Sequence, residues 1–222
     1  MELFAGLIIA VLLGGVIALI FLHFGGRRNF FRTIRKAPLK PITEVKHGEL
    51  VRIQGKVELV GEALIAPLSG RKCAYFLAEV FERRGNGLYG IPVFQKSRMR
   101  GVKFVIRNGK DIAVLDSVSL RERSVVMDRK WESGLFDNLS PSSKKFVHSL
   151  GLASQEFFGS NRRLVLKEGV FEPGEKIVVY GKGYWEYSRK HGIDNNGSKV
   201  LVMHPGNEEA IYISDHPKAA KD

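Results

Sequence analysis

With Cys73 as its only cysteine in 222 residues, the chain cannot form a disulfide within itself, nor build a zinc site on several thiolates. Histidine supplies no substitute. His23, His47, His148, His191, His204 and His216 stand apart, without the H-x-x-x-H spacing that puts two imidazoles on one helical face. Gly85-Asn86-Gly87 lacks the Gly-Lys-Ser/Thr ending of a phosphate-cradling loop and reads as a flexible connection. Ser214-Asp215-His216 holds the residue types of a hydrolytic triad, but chain neighbours cannot converge as a triad requires. Arg71 and Lys72 would lower the pKa of Cys73 and favour a nucleophile. Cys73 opens an apolar run, however, and there a cysteine is ordinarily buried and inert. The expectation is therefore no catalytic residue, no cofactor and no metal.

Acids are missing where bases collect. Residues 83–110 hold eight Lys and Arg and no carboxylate, while residues 27–46 hold seven against the single Glu44. These two blocks exceed the whole formal net charge of +12, so the rest of the chain is slightly acidic. Such blocks suit an anionic partner, either lipid headgroups or nucleic acid.

Charge itself is missing from Leu3 to Leu22, twenty residues without a strong polar group. As a helix this run spans about 30 Å, the thickness of the hydrocarbon core. A cleaved signal peptide fits less well. Only Glu2 precedes the run, and His23-Phe24-Gly25-Gly26-Arg27-Arg28 is a poor cleavage site. Arg27, Arg28, Arg32, Arg35 and Lys36 crowd the C-terminal flank and orient the domain beyond them toward the cytoplasm. Gly6, Ala10, Gly14 and Ala18 recur every fourth residue, a small-residue stripe through which two such helices could pack as a homodimer.

Pro38 and Pro41 interrupt the basic segment, so a long helix cannot continue into the domain. Short β-type runs then dominate. Leu50 to Gln54 alternates apolar and polar residues before Gly55, and Cys73 to Phe81 has the apolar content of a buried strand. Val102–Ile106 and Ile112–Leu115 flank Asn108-Gly109, a tight hairpin signal. Lys176–Tyr180, Lys199–Met203 and Ala210–Ser214 are further strands. Ser140-Pro141 marks a helix start, with Phe146, Val147 and Leu150 as its apolar face up to Gly151. His47 to Lys56 and Pro173 to Lys182 echo each other, each reading Gly-Glu, a β-run, then Gly-Lys. Either two related barrel edges or a recurrent strand solution would give that echo. The expected fold is one N-terminal transmembrane α-helix plus a mainly β (α+β) domain, barrel-like, with one or two short helices. Its boundaries are 1–26 for the anchor, 27–46 for a basic juxtamembrane linker, 47–215 for the domain and 216–222 for a polar tail.

Taken in order, several segments resemble the GIDE or "beside a membrane" (BAM) domain family. They are Val51 to Val57, Ala66-Pro67-Leu68-Ser69-Gly70-Arg71-Lys72-Cys73-Ala74-Tyr75, Lys103–Ile106 through Val114–Asp116, the Ser140 helix, and Leu164 to Gly181. Together they cover most of residues 47–185. The resemblance implies a membrane-anchored, partner-binding module. In the mitochondrial ubiquitin ligase of this family a second span and a zinc-binding RING come after the domain. The present sequence reaches Asp222 with one cysteine and no second apolar span, so the resemblance does not extend to ligase chemistry.

The strongest candidate surface is the basic stretch Arg83, Arg84, Lys96, Arg98, Arg100, Lys103, Arg107 and Lys110, with Tyr89 and Phe94 among the cations. It suits anionic lipid beside an anchor. Aromatics among cations also suit single-stranded nucleic acid on a barrel, the weaker of these two readings; a solvated basic hairpin that binds nothing is the plainest reading, and an acidic protein partner a further one. Three functions compete. They are a membrane-anchored, non-enzymatic interaction or scaffold module with an unknown membrane-protein partner, a ubiquitin-ligase-like protein or enzyme subunit, and a membrane-tethered nucleic-acid-binding barrel.

Overall fold

The computed structural model describes residues 30–84, 90–116, 122–133, 139–153, 162–193, 197–205 and 211–221. Among these described residues no helix is long and apolar enough to cross a membrane. The Leu3–Leu22 span, the stripe of Gly6, Ala10, Gly14 and Ala18, and the Gly85-Asn86-Gly87 loop lie outside the described residues.

The described residues are mainly β. Five strands close a ring: β1 (Glu49–Leu59), β6 (Phe104–Asn108), β7 (Asp111–Leu115), β12 (Lys199–His204) and β11 (Lys176–Tyr187), which pairs back onto β1. All of these contacts are antiparallel except β12 against β7. This is the plan of a small Greek-key barrel of the OB type. Alternation explains the core. Val51, Ile53 and Val57 of β1, Phe104 and Ile106 of β6, and Ile177 and Val179 of β11 all point inward and are at most 2 % exposed. β13 (Tyr212–Ser214) lies beside β11, and β8 (Glu122–Ser124) lies beside β13.

The two echoing segments are the starts of β1 and β11, and they are direct partners, from Glu49 opposite Gly183 to Lys56 opposite Lys176. Each is entered through a left-handed glycine, Gly48 at φ +78° and Gly174 at φ +85°. In each turn the next glutamate accepts from the amide three residues back: Lys46 N–H to Glu49 at 2.9 Å, and Glu172 N–H to Glu175 at 2.9 Å. The β6–β7 hairpin also forms, one residue along from the expected turn. Asn108 ends β6 opposite Asp111, which leaves Gly109 and Lys110 as the turn.

A second sheet grows out of the barrel's connections. Between β1 and β6 come the short pair β2 (Leu64–Ile65) and β3 (Lys72–Cys73), then the long hairpin β4 (Tyr75–Arg84) and β5 (Ile91–Gly101). Between β7 and β11 come β9 (Arg129–Glu132), a helix and β10 (Leu164–Phe171). They assemble in the order β5-β4-β10-β9. The helix, α2 (Pro141–Ser149), covers one face, burying Phe146 and Val147 on Phe76, Ala78, Val80, Leu164 and Leu166. Ser140 caps it as expected, its Oγ accepting from Ser143 N–H at 3.2 Å.

The stretches taken from sequence as a linker and a polar tail are seated on the barrel. Residues 30–34 are helical (α1), and Phe30, Ile34 and Ala37 pack on Val178, Tyr180, Tyr212 and Ala219. Ile42 and Val45 belong to the barrel core. Alternation in β1 would send Arg52 to solvent, yet it is 1 % exposed, because the arm and the tail close over it. Its guanidinium donates to Ala37 O at 2.8 Å and to Ala219 O and Lys221 O, each at 3.0 Å.

Candidate functional site

Two regions gather the charged side chains, and they use them differently. The first begins at the turn Ala66–Arg71, closed by Gly70 N–H to Ala66 O and Ala66 N–H to Arg71 O. The turn aims the amides of Leu68 and Ser69 at the carboxylate of Glu168 on β10, at 2.8 and 3.1 Å. Glu168 is wholly buried, so these donors and the nearby Arg71 are what make its charge tolerable. Arg71 forms a fork with Asp128, at 2.6 and 2.9 Å, and also meets Glu172 at 2.9 Å and Glu168 at 3.9 Å. The hydrogen bond to Asp128 raises the pKa of Arg71. Burial would raise that of Asp128, but the Arg71 contacts outweigh it and hold the carboxyl below its usual range. The next residue on β10, Gly169, lets the chain at Val126 cross, since a Cβ there would lie 2.5 Å from Val126 O.

Beside this knot lies a cavity of about 470 Å³ lined by Arg71, Asp128, Glu172, Glu175 and Asp215. Burial pushes Glu175 up to about 7 and Asp215 up to about 6. Asp215 accepts from Val126 N–H at 2.8 Å. Sequence reading missed this acidic group because its members come from distant strands and connections, with no motif spacing to betray them. Among the described residues no group of three or more His, Cys, Asp or Glu is arranged to hold a metal.

The neighbouring Cys73 is buried, and burial, against the pull of Arg71, pushes its thiol up to about 11. At neutral pH it is the protonated thiol rather than the thiolate. Ser214, Asp215 and His216 each accept from a backbone amide, Asp215 from Val126 N–H. Ser214 Oγ accepts from His216 N–H at 3.0 Å, and His216 Nδ1 accepts from Lys218 N–H at 3.1 Å.

The second region is the basic stretch, which the fold divides. Arg83, Arg84, Lys96, Arg98 and Arg100 lie on the β4–β5 hairpin, whereas Arg107 and Lys110 belong to the barrel's β6–β7 hairpin and Lys103 leads into it. Most of these charges are already engaged. Lys96 Nζ donates to Leu150 O at 2.7 Å, and Arg98 donates to Ser149 O at 2.7 Å and to Ser149 Oγ at 3.0 Å. Both therefore sit on the negative end of the α2 dipole. Arg107 pairs with Glu58 at 2.5 Å, Arg83 with Glu132 at 3.0 Å and Arg84 with Glu82 at 3.4 Å, and Lys103 donates to His191 O at 2.7 Å. Arg100 and Lys110 are exposed. Three of the eight cations thus meet a carboxylate, while Lys96, Arg98 and Lys103 rest on neutral oxygens and keep their charge.

What stands out on the hairpin is apolar. Of seven exposed large hydrophobics among the described residues, four lie on β5: Ile91 at 72 %, Phe94 at 52 %, Met99 at 50 % and Val93 at 36 %. β5 is the outer strand of its sheet, and among the described residues no strand lies on its far side. A bulge at Gln95, where Val80 faces Lys96 but Phe81 faces Phe94, sets Phe94 edge-on to Phe81 with ring centroids 5.7 Å apart. Sequence reading singled out Phe94 but not Ile91, Val93 or Met99, although Ile91-Pro92-Val93-Phe94 is a visible apolar run in a basic block.

Comparison with protein-family models, with curated proteins and with solved structures returns no match.

Proposed function

We propose that this protein is a membrane-tethered, non-enzymatic interaction module of the GIDE/BAM type, and that the β5 edge is where it meets a protein partner. The observation that carries this reading is the concentration of exposed apolar side chains on one edge strand. A monomer has little reason to leave Phe94 and Met99 on one face of an edge strand, and Ile91 on the other, all exposed. Strand edges are a recurrent docking mode, with main-chain hydrogen bonds giving affinity and alternate side chains giving selectivity. The family resemblance supports the reading, because its Pro67–Arg71 run serves a structural purpose here, holding Glu168 where the second sheet joins the barrel. The apolar run Leu3–Leu22 supplies the tether, and its basic flank places the domain on the cytoplasmic side.

A nucleic-acid partner fits less well. In OB-type barrels the face of the second and third strands is a usual oligonucleotide platform. Here those strands are β6 and β7, and their outward Val105, Ile112 and Val114 are aliphatic and at most 4 % exposed. Stacking needs exposed aromatics, which that face does not offer.

The test pairs Phe94→Ser with Met99→Ser in the full chain in its native membrane. Both side chains are exposed, so folding should be unchanged while the protein leaves its larger complex on native gels. If the doubly substituted chain keeps the same complex, the β5 edge is not the interaction surface.

A further inference from the structure

We propose that the seam between the N-terminal arm and the C-terminal tail is a docking surface for anionic lipid headgroups, contacted by Arg32, Arg35, Lys218 and Lys221. This rests on the tethered reading and adds a second face to it. Residues 30–41 and 216–221 carry six Lys and Arg and no carboxylate, although Asp222 comes next. Two segments at opposite ends of the chain are brought together by contacts that leave their charges outside. Buried Arg52 ties both backbones through Ala37 O, Ala219 O and Lys221 O. Pro38 and Lys40 pair with the Arg52 backbone, each hydrogen bond 2.9 Å long. Phe30 packs on Tyr212 and Phe31 on His216, with ring centroids 5.5 and 5.2 Å apart. Arg35 donates to Lys218 O at 3.1 Å, which brings cations of the two segments side by side.

Lys40 is neutralised by Glu49 at 2.5 Å, whereas Arg32, Arg35, Lys218 and Lys221 are exposed. A rigid cluster of like charge repels itself unless an anionic surface faces it. The same repulsion disfavours a second copy of this chain as the occupant. Location selects the membrane. Seven residues, 23–29, separate the end of the apolar run from Phe30. They reach about 25 Å if extended and about 10 Å if helical, so the seam stays near the headgroups. A negative leaflet is felt within a Debye length of about 8–10 Å.

The test uses the full chain in nanodiscs of phosphatidylcholine, with or without phosphatidylglycerol. Each disc carries a photoactivatable group on either a lipid headgroup or an acyl chain, and labelled peptides are mapped by mass spectrometry. Headgroup labelling of peptides from 30–41 and 216–221 should appear with phosphatidylglycerol and fall as salt rises. Lys218→Glu with Lys221→Glu, which spares the Arg35 bond, should reduce it on the order of tenfold. Acyl-chain labelling of Leu3–Leu22 should persist in both discs. Seam labelling that is equal without phosphatidylglycerol, or unchanged in the variant, overturns the proposal. Absent acyl-chain labelling overturns the tether and the lipid surface together.

Discussion

The barrel and the sheet that grows from it treat their edges in opposite ways. The barrel's five strands return on themselves, so β1, β6, β7, β12 and β11 each find neighbours on both sides. Even its outer surface is partly covered, by the arm and tail over Arg52 and by Ile193 packed against Val105, Ile112 and Val114. The second sheet ends on β5, an eleven-residue strand with no strand on its outer side among the described residues and studded with apolar groups. Closure makes a scaffold and an open edge makes an interface. The charges divide in the same way. In the knot and along the hairpin they hold elements together, and the exposed cations of the arm–tail seam face outward.

The sharpest way to break this comparison is to cut the joint between the two regions. Glu168→Ala leaves the Leu68 and Ser69 amides and part of Arg71 unsatisfied in a buried place. It should destabilise the fold by about 3–5 kcal/mol in denaturant titrations. Serine at Phe94 and Met99 should cost clearly less, about 1–1.5 kcal/mol, most of it the edge-on contact with Phe81. Equal losses would mean that the β5 edge is structural after all.

Arg52→Met probes the cover on the barrel. Three carbonyls lose their donor while the core beneath is untouched. The expected cost is about 2–4 kcal/mol. Limited proteolysis should then cleave the arm and the tail first. Protection unchanged from the parent chain would show that apolar packing of Phe30 and Ile34 suffices.

Ser140→Ala should cost about 1 kcal/mol by removing the N-cap of α2, read from the same titrations. No change would place the stability of the helix wholly in the contacts of Phe146 and Val147.

The smallest effect is a pH slope. Burial raises Glu175 to about 7 and Asp215 to about 6, so the folded chain holds these protons more tightly than the unfolded one. Their contribution is fully present below the ordinary carboxylate range and is lost as pH rises through 6 to 7. Asp128, Glu58 and Glu132 are lowered and act oppositely, losing stability only under more acidic conditions. Glu175→Gln should therefore melt about 3 °C above the parent at pH 8 and converge with it near pH 5. Parallel melting curves across that range would remove Glu175 from the account.

Local signals were legible in the sequence. Alternation marked β1, Ser140-Pro141 marked the start of α2, and Asn108-Gly109 marked a hairpin to within one residue. The mainly β class came from those signals. Long-range pairing was not legible. The return of β11 onto β1 turns on registers 120 to 134 residues apart, from Lys56 opposite Lys176 to Glu49 opposite Gly183, and only the Gly-Glu echo hinted at it. The acidic cavity was hidden for the same reason, since Asp128, Glu172 and Asp215 meet only once the strands are placed. The partners of the basic stretch were hidden for the same reason. Sequence counts charges, but it does not show that the end of α2 arrives to receive Lys96 and Arg98. Arg52 misled, because alternation cannot foresee a second layer.

The central claim is that the β5 edge is where this protein meets its partner. A photo-crosslinking amino acid placed at Met99, in cells expressing the full chain, tests it most directly. The same group at Tyr187, equally exposed but on the barrel, is the control. The account predicts a discrete crosslinked species from Met99, absent from Tyr187 and lost when Phe94 is also changed to serine. Crosslinks of equal yield from both positions, or none from Met99, would contradict it.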